Sequence, residues 1–141
     1  MADVFGANTT KYNTPGTATY MGAEYGGKLR GMHDTYTFAS TAVAQKLQVG
    51  VLKPGEVYFD GFILGADLGS ATTLALGDAG DTDRYLAATV FTTANQVTAC
   101  RKAEGLGYKN STSADIPLFL TVGTEEATGA IEVCIVVLAP N

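Results

Sequence analysis

The side chains that could do chemistry in this chain of 141 residues are few and scattered. His33 is the single histidine, and the sequence contains neither a nucleophile elbow nor a P-loop. A catalytic triad would need distant residues to converge on His33, whereas a histidine at a strand boundary is more often a surface or hydrogen-bonded residue. We therefore expect no catalytic residue and no enzymatic activity.

Three carboxylates, those of Asp78, Asp81 and Asp83, fall within six residues of a glycine-containing segment. Hard cations such as Ca²⁺ bind clustered oxygen ligands on loops, but this spacing does not match an EF-hand. Aspartate is also common in turns because it stabilises turns and helix starts. We expect no metal ion and no cofactor, and these three aspartates are the candidate ligands if a cation does bind.

The two cysteines, Cys100 and Cys134, are too few for a disulfide framework. The chain shows no charged leader followed by an apolar stretch and a cleavage site, so we expect no export by a signal peptide. We interpret both cysteines as small buried hydrophobic residues of a protein made in a reducing cytoplasm. The longest strongly apolar run, residues 133–139, is too short to span a bilayer, so we expect no membrane contact.

Charge excludes another class of partner. Charged residues make up 16% of the chain, and the net charge is −5. Residues 1–31 hold three basic and two acidic residues, a net charge of +1, whereas the remaining residues hold six basic and twelve acidic ones, a net charge of −6. Binding to nucleic acid needs clustered cations that displace counterions from phosphate, and this chain has no such cluster. We expect no direct contact with DNA or RNA.

The sequence pattern predicts that the segments that position these residues are short strands, separated by turns of glycine, aspartate, asparagine and serine. Residues 45–52 place Leu47, Val49 and Val51 on one face, and Lys53-Pro-Gly has the composition of a tight turn. The other predicted strands are residues 34–38, 56–64, 71–77, 96–103, 117–123 and 130–138. Seven or eight short strands favour a β-sandwich or barrel over an α/β fold, and we predict an all-β domain, a single β-sandwich. One or two helical turns are predicted over residues 81–89, with Asp81 as their cap.

The last predicted strand is apolar on both faces. An ordinary sandwich strand has one face in water, so apolar residues on both faces indicate either a covered strand or a subunit interface. The residues that we predict to mediate self-association are Ile135, Val136, Val137 and Leu138.

Residues 1–31 carry aromatic residues, threonines and glycines without a sustained helical or strand period. Such a segment cannot bury enough surface by itself to offset its ordering entropy. We predict an extended N-terminal arm over 1–31 that reaches a partner, and a β-sandwich body over 32–141. Tyrosines that pack back on their own domain are the alternative interpretation. The predicted arm contacts are Phe5, Tyr12, Tyr20, Tyr25, Lys28 and Arg30.

Several segments together resemble small structural proteins of tailed bacteriophages, the head decoration or cement proteins. The segments that carry the resemblance are Asp34-Thr-Tyr-Thr-Phe, Gly50-Val-Leu-Lys-Pro-Gly, Gly65-Ala-Asp-Leu-Gly, Thr73-Leu-Ala-Leu-Gly-Asp and Asp81-Thr-Asp-Arg-Tyr-Leu-Ala-Ala. The resemblance implies a jelly-roll-like sandwich, associated as a homotrimer, on the outer surface of a phage capsid. It also implies that the protein bridges neighbouring major capsid protein subunits and stabilises the shell against internal DNA pressure.

Two other functions stay open at this stage. A tail-tube or head–tail connector subunit would form rings, and such subunits usually need a long hairpin or loop, whereas the loops here look short. A carbohydrate-binding β-sandwich would normally present exposed aromatic platforms, often of tryptophan, and this chain contains no tryptophan.

Overall fold

The computed structural model describes residues 28–140, which form an all-β sandwich, as the strand pattern predicts. Two antiparallel sheets of four strands each face one another across a hydrophobic core. The strands are β1 (Lys28–Thr41), β2 (Lys46–Leu52), β3 (Val57–Gly65), β4 (Thr73–Gly77), β5 (Leu86–Val90), β6 (Gln96–Ala99), β7 (Ile116–Gly123) and β8 (Ala127–Ala139). Among these described residues, no helix is long and apolar enough to cross a membrane.

The strand order is that of a jelly roll. Sheet 1 has the order β1-β8-β3-β6, and sheet 2 has the order β2-β7-β4-β5. The first strand pairs with the last, the second with the seventh, the third with the sixth and the fourth with the fifth. The chain is therefore folded as one long antiparallel double strand that is wound up into two sheets, the arrangement of two Greek keys.

Strand β8 shows how the sequence pattern builds the core. Its alternate residues Ile131, Val133, Ile135 and Val137 are at most 3% exposed and face sheet 2. Two large side chains close one end of the core, since the ring of Tyr58 stacks on that of Tyr85 with centroids 4.3 Å apart. The hydroxyl of Tyr58 donates to the carbonyl of Cys100 at 2.8 Å, so its polar atom is satisfied inside the core.

Strand β2 departs from the predicted alternation. Its register against β7 shifts between Gln48 and Gly50, which marks a bulge. As a result Val49 and Leu52 are buried, whereas Val51 is only partly buried. The prediction that Leu47, Val49 and Val51 share one face is therefore wrong beyond the bulge, because an extra residue reverses the side-chain alternation.

The predicted helical turn over residues 81–89 is also wrong, because residues 82–85 form a non-helical turn and residues 86–89 belong to strand β5. A tight turn is present, in which the backbone N–H of Asp78 donates to the carbonyl of Asp81 at 2.9 Å. The chain then returns alongside β4, where the N–H of Tyr85 donates to the carbonyl of Leu76 at 2.9 Å and Leu86 pairs with Leu76. Burial of two large side chains against β4 outweighs the local helix signal.

The start of strand β1 lies inside the segment that the sequence assigns to an arm. Residues 28–31 pair with residues 136–139 of β8 and are part of sheet 1. The body of the sandwich therefore includes Lys28, and the predicted boundary at residue 31 falls within a strand.

Candidate functional site: the outer face of sheet 1

The side chains that point away from the core on sheet 1 form an apolar surface. Register fixes which residues share this side, because paired residues of neighbouring strands point the same way. Thus Cys134 of β8 lies between His33 of β1 and Phe62 of β3, and Val136 lies beside Gly31. We call this surface the apolar face; its members are Leu29, Val57, Phe59, Phe62, Leu64, Val97, Cys134, Val136 and Leu138.

Four members of the apolar face are strongly exposed. Val97 is 68% exposed, Leu29 59%, Phe59 55% and Phe62 43%. Phe59 points outward because the register of β3 against β8 shifts between Tyr58 and Asp60. Large apolar side chains scattered singly are normal on a protein surface, but four on one side of one sheet make a patch.

One ion pair and one hydrogen bond lie on the same side of sheet 1. The guanidinium of Arg101 binds the carboxylate of Asp60 through two bonds of 2.8 and 2.9 Å, and it lowers the pKa of Asp60. On the edge strand β1, His33 Nε2 lies 3.1 Å from a carboxylate oxygen of Glu132. His33 is thus a surface hydrogen-bonding residue, as its sequence context predicts, and the apolar face also contains the Asp60–Arg101 pair, which lies opposite Val136.

The outer side of sheet 2 differs in character. Its central strands present small or partly buried residues such as Ala75, Thr121 and Gly123. The one aromatic residue there, Phe119, is partly buried and lies under the ammonium group of Lys46, 5.8 Å from the ring centroid. The hydroxyl of Thr121 is buried without a hydrogen-bond partner. The two sides of the sandwich are therefore unequal, and sheet 1 presents the more apolar one.

The structure separates the four residues that the sequence predicts for self-association. The side chains of Ile135 and Val137 are fully buried in the core, so they have no surface to offer a partner. The side chains of Val136 and Leu138 point outward and are half-buried members of the apolar face. The two-faced apolarity of this strand therefore reflects a core on one side and the exposed patch on the other.

Four of the predicted arm contacts, Phe5, Tyr12, Tyr20 and Tyr25, lie outside the described residues. Lys28 is exposed at the start of β1. Arg30 is engaged within the sandwich: its Nε and Nη2 donate to the carboxylate of Glu56 at 2.7 and 2.6 Å, and Nη2 also donates to the carbonyl of Val51 at 2.8 Å. The guanidinium lowers the pKa of the buried Glu56, and its bond to Val51 links β1 of sheet 1 with β2 of sheet 2.

The three candidate metal ligands, Asp78, Asp81 and Asp83, make hydrogen bonds and ion pairs within and beside the turn that follows β4. Burial by itself would raise the pKa of Asp78. Hydrogen bonds from Arg84 and from backbone N–H groups lower this pKa by more than burial raises it, so the net shift is downward. Arg84 Nε donates to Asp78 at 2.7 Å, and Lys102 Nζ lies 3.0 Å from Asp83. Within residues 28–140, no cluster of three or more histidine, cysteine or acidic residues could hold a metal ion.

The cysteines are both free. Cys100 is fully buried, and burial raises the pKa of its thiol to about 12, which keeps it in the unreactive protonated form. Cys134 is half-buried on the apolar face.

A sequence signal for the apolar face was present in β3. Residues 57–64 are apolar in both phases of the strand period, as β8 is, and the two strands are neighbours in sheet 1. Two adjacent strands with apolar residues on both sides indicate an exposed patch. The sequence alone does not show that β3 and β8 are neighbours, because their pairing is set by the fold.

The fold is shared with proteins of phage capsids. A chain of the Cyanophage Pam1 capsid asymmetric unit superposes with a TM-score of 0.65 at 21% identity, over 90% of this chain and 100% of that chain. A chain of the capsid of Ralstonia phage GP4 superposes with a TM-score of 0.63 at 16% identity, over 82% of this chain and 86% of that one. No protein-family model matches the sequence, and no curated protein sequence matches it. At these identities the likeness shows the fold.

Proposed function

We propose that this chain is a structural virion protein that decorates the outside of a phage head. In this function it binds the major capsid protein, bridges neighbouring capsid subunits and stabilises the shell without enzymatic activity, cofactor or metal. The observation that carries the proposal is the fold likeness to two chains from phage capsids, because it covers nearly the whole of this chain and of theirs. The exposed apolar face supports it, since such a patch is typical of an assembly partner.

The physical basis of the stabilisation is linkage. A protein that binds only the assembled shell lowers the free energy of the shell relative to its dissociated subunits. Each contact can be weak, because bridging and repeated attachment raise the effective concentration of every further contact. An acidic body with a low charged fraction suits a protein whose surface is partly covered in the particle.

We assign the capsid contacts of this proposal to the N-terminal segment, with Phe5, Tyr12, Tyr20, Tyr25 and Lys28 as contact residues. Arg30 already has two partners within its own sandwich, Glu56 and Val51, so a contact of Arg30 with an acidic capsid residue would have to compete with Glu56. Val136 and Leu138 remain the candidates for self-association, and a trimer is the oligomer that the family resemblance implies.

The experiment uses heads purified from a phage that lacks the gene for this chain. We expect added full-length protein to bind these heads and to raise the temperature at which they release DNA. A chain without residues 1–27 keeps all of β1, so it should fold, as checked by circular dichroism, but should reach a lower occupancy on the heads. Equal occupancy with and without residues 1–27 would contradict the assignment of the capsid contacts to this segment.

A failure of the full-length chain to bind heads would contradict the proposed function itself. Rings or tubes of the isolated protein in negative stain would favour a tail-tube or connector subunit instead. Specific binding on a glycan array would favour a carbohydrate-binding sandwich.

A further inference from the structure

The apolar face is the largest concentration of exposed apolar side chains in the described part of the chain. Eight large hydrophobic residues of that part are exposed, and four of them, Leu29, Phe59, Phe62 and Val97, lie on this one face. Leaving such a patch in water costs on the order of 25 cal/mol for each Å² of apolar surface. A partner that covers the patch recovers this free energy.

The dimensions of the apolar face are those of the centre of a protein–protein interface. Three spacings of about 4.8 Å separate the outermost of the four strands by roughly 14 Å, and the rows from Leu138 to Glu132 extend about 20 Å along the strands. This corresponds to roughly 280 Å² in projection, about a third of the 800 Å² that one partner contributes to a standard interface. Asp60 lies within the face, between Phe59 and Phe62 on β3 and opposite Val136, with its charge bound by Arg101, whereas His33 lies on the edge strand β1.

Charge indicates which partner fits. Residues 28–140 hold twelve acidic and eight basic residues, so two copies repel each other over most of their surface. On the side of the apolar face, Asp60 is neutralised by Arg101, which leaves Glu132, hydrogen-bonded to His33, as the one acidic residue among the described residues of this face without a lysine or arginine partner. Two acidic copies can therefore meet through this side with little repulsion, because it places few unpaired like charges together.

We infer that a second copy of this chain covers the apolar face, so that sheet 1 forms the contact between copies. This inference deepens the proposed function, on which it rests, by assigning self-association to a surface centred on Phe62 and extending to Val97 and Leu29. It fixes the face that copies share, not the number of copies in the oligomer.

The test is the oligomeric state of the purified full-length chain, measured by sedimentation equilibrium over a range of concentrations. The chain with Phe62→Ser and Val97→Ser is compared with a chain carrying Val90→Ser. Val90 is a matched control, because it is an exposed valine, 51% accessible, on an edge strand of sheet 2. We expect the unaltered chain and the control to associate equally, and the double variant to associate at least tenfold more weakly.

Thermal unfolding of all three chains verifies that they are folded, and since the altered residues are exposed, similar melting temperatures are expected. A monomeric unaltered chain at every concentration would overturn the inference, as would equal association of the double variant. If the unaltered chain is monomeric and the double variant loses occupancy on heads, the apolar face contacts the capsid rather than a copy. Association is measured without any capsid, and the proposed function is tested by binding to heads. A chain that binds heads but does not associate contradicts only the inference, and a chain that associates but does not bind heads contradicts only the proposed function.

Discussion

At the scale of single residues, the most consequential polar contact is the fork between Arg30 and Glu56. The sequence suggested Arg30 as a surface contact, yet its guanidinium binds the carboxylate of Glu56 in the connection between β2 and β3 and the carbonyl of Val51 on β2. Glu56 is 3% exposed, and it also accepts the backbone N–H of Lys53 at 2.8 Å. Local sequence could not reveal this pair, because its members are 26 residues apart and are brought together only by the fold.

Replacing this arginine should cost stability. In an Arg30→Leu chain, the buried carboxylate of Glu56 keeps its desolvation cost but loses its cation, so we expect a loss of about 2 kcal/mol in the free energy of unfolding. Arg101→Leu is the matched control, because Arg101 makes the same two-bond contact with Asp60 but is 61% exposed. We expect a much smaller change for the control, because solvent screens an exposed ion pair. Urea denaturation of both variants checks this, and equal losses would contradict it.

The same carboxylates predict how stability depends on pH. The pKa values of Glu56 and Asp78 are lower in the folded chain than in ordinary peptides, where they are about 4. A lowered folded pKa means that the stabilisation is complete above the unfolded value and is lost as the pH falls through the folded value.

We therefore expect the free energy of unfolding to be flat near neutral pH and to fall below about pH 4. An Asp78→Asn chain should be less stable at pH 7 and should lose less on acidification. The measurement is urea denaturation at a series of pH values, and a free energy that does not change between pH 7 and pH 3 would be inconsistent with these ion pairs.

One residue offers a gain in stability. The hydroxyl of Thr121 is buried in sheet 2 without a hydrogen-bond partner, which carries a desolvation cost. A Thr121→Val chain keeps the branched shape and removes the hydroxyl, so we expect a gain of about 1 kcal/mol in the free energy of unfolding. Thermal and urea unfolding would show it, and a lower stability of the valine chain would mean that this hydroxyl has a partner in solution.

At the scale of elements, the strand segments could be predicted from the sequence, but their registers could not. Alternation located the strongest strands, such as β7 and β8, because one side of each faces the core. Strand β5 was missed because its stability comes from pairing with β4 rather than from its own pattern. The bulge in β2 was missed because the extra residue is specified by the register against β7.

The turn between β4 and β5 allows a sharp test at this scale. A Cβ on Gly77 would overlap the backbone of Asp81 and Thr82, whereas a Cβ on Gly31 would meet no atom within 4 Å. We expect Gly77→Ala to cost about 3 kcal/mol or more, since backbone of a tight turn cannot move aside, and Gly31→Ala to have little effect. Thermal unfolding distinguishes them, and a Gly77→Ala chain as stable as the Gly31→Ala chain would show that this turn rearranges.

At the scale of the whole molecule, the number of strands and the sandwich class followed from composition and turn spacing. The jelly-roll order adds information that no local pattern contains, because it pairs the two ends of the described chain, β1 with β8. That pairing brings Leu29 next to Leu138 and Phe62 next to Cys134, and so assembles the apolar face from four separate segments. Half of the predicted self-association set proved to be core, because the sequence could not tell which side of β8 faces sheet 2.

The central claim of this account is a position on the outside of a phage head, and a density map of the intact particle tests it most directly. Under the proposed function this is the particle of the phage that encodes the chain, reconstructed at a resolution that shows individual strands. We predict density for the eight-stranded sandwich on the outer surface of the shell, at junctions between major capsid protein subunits. Sandwich density confined to the tail, or an outer shell surface without it, would contradict the account.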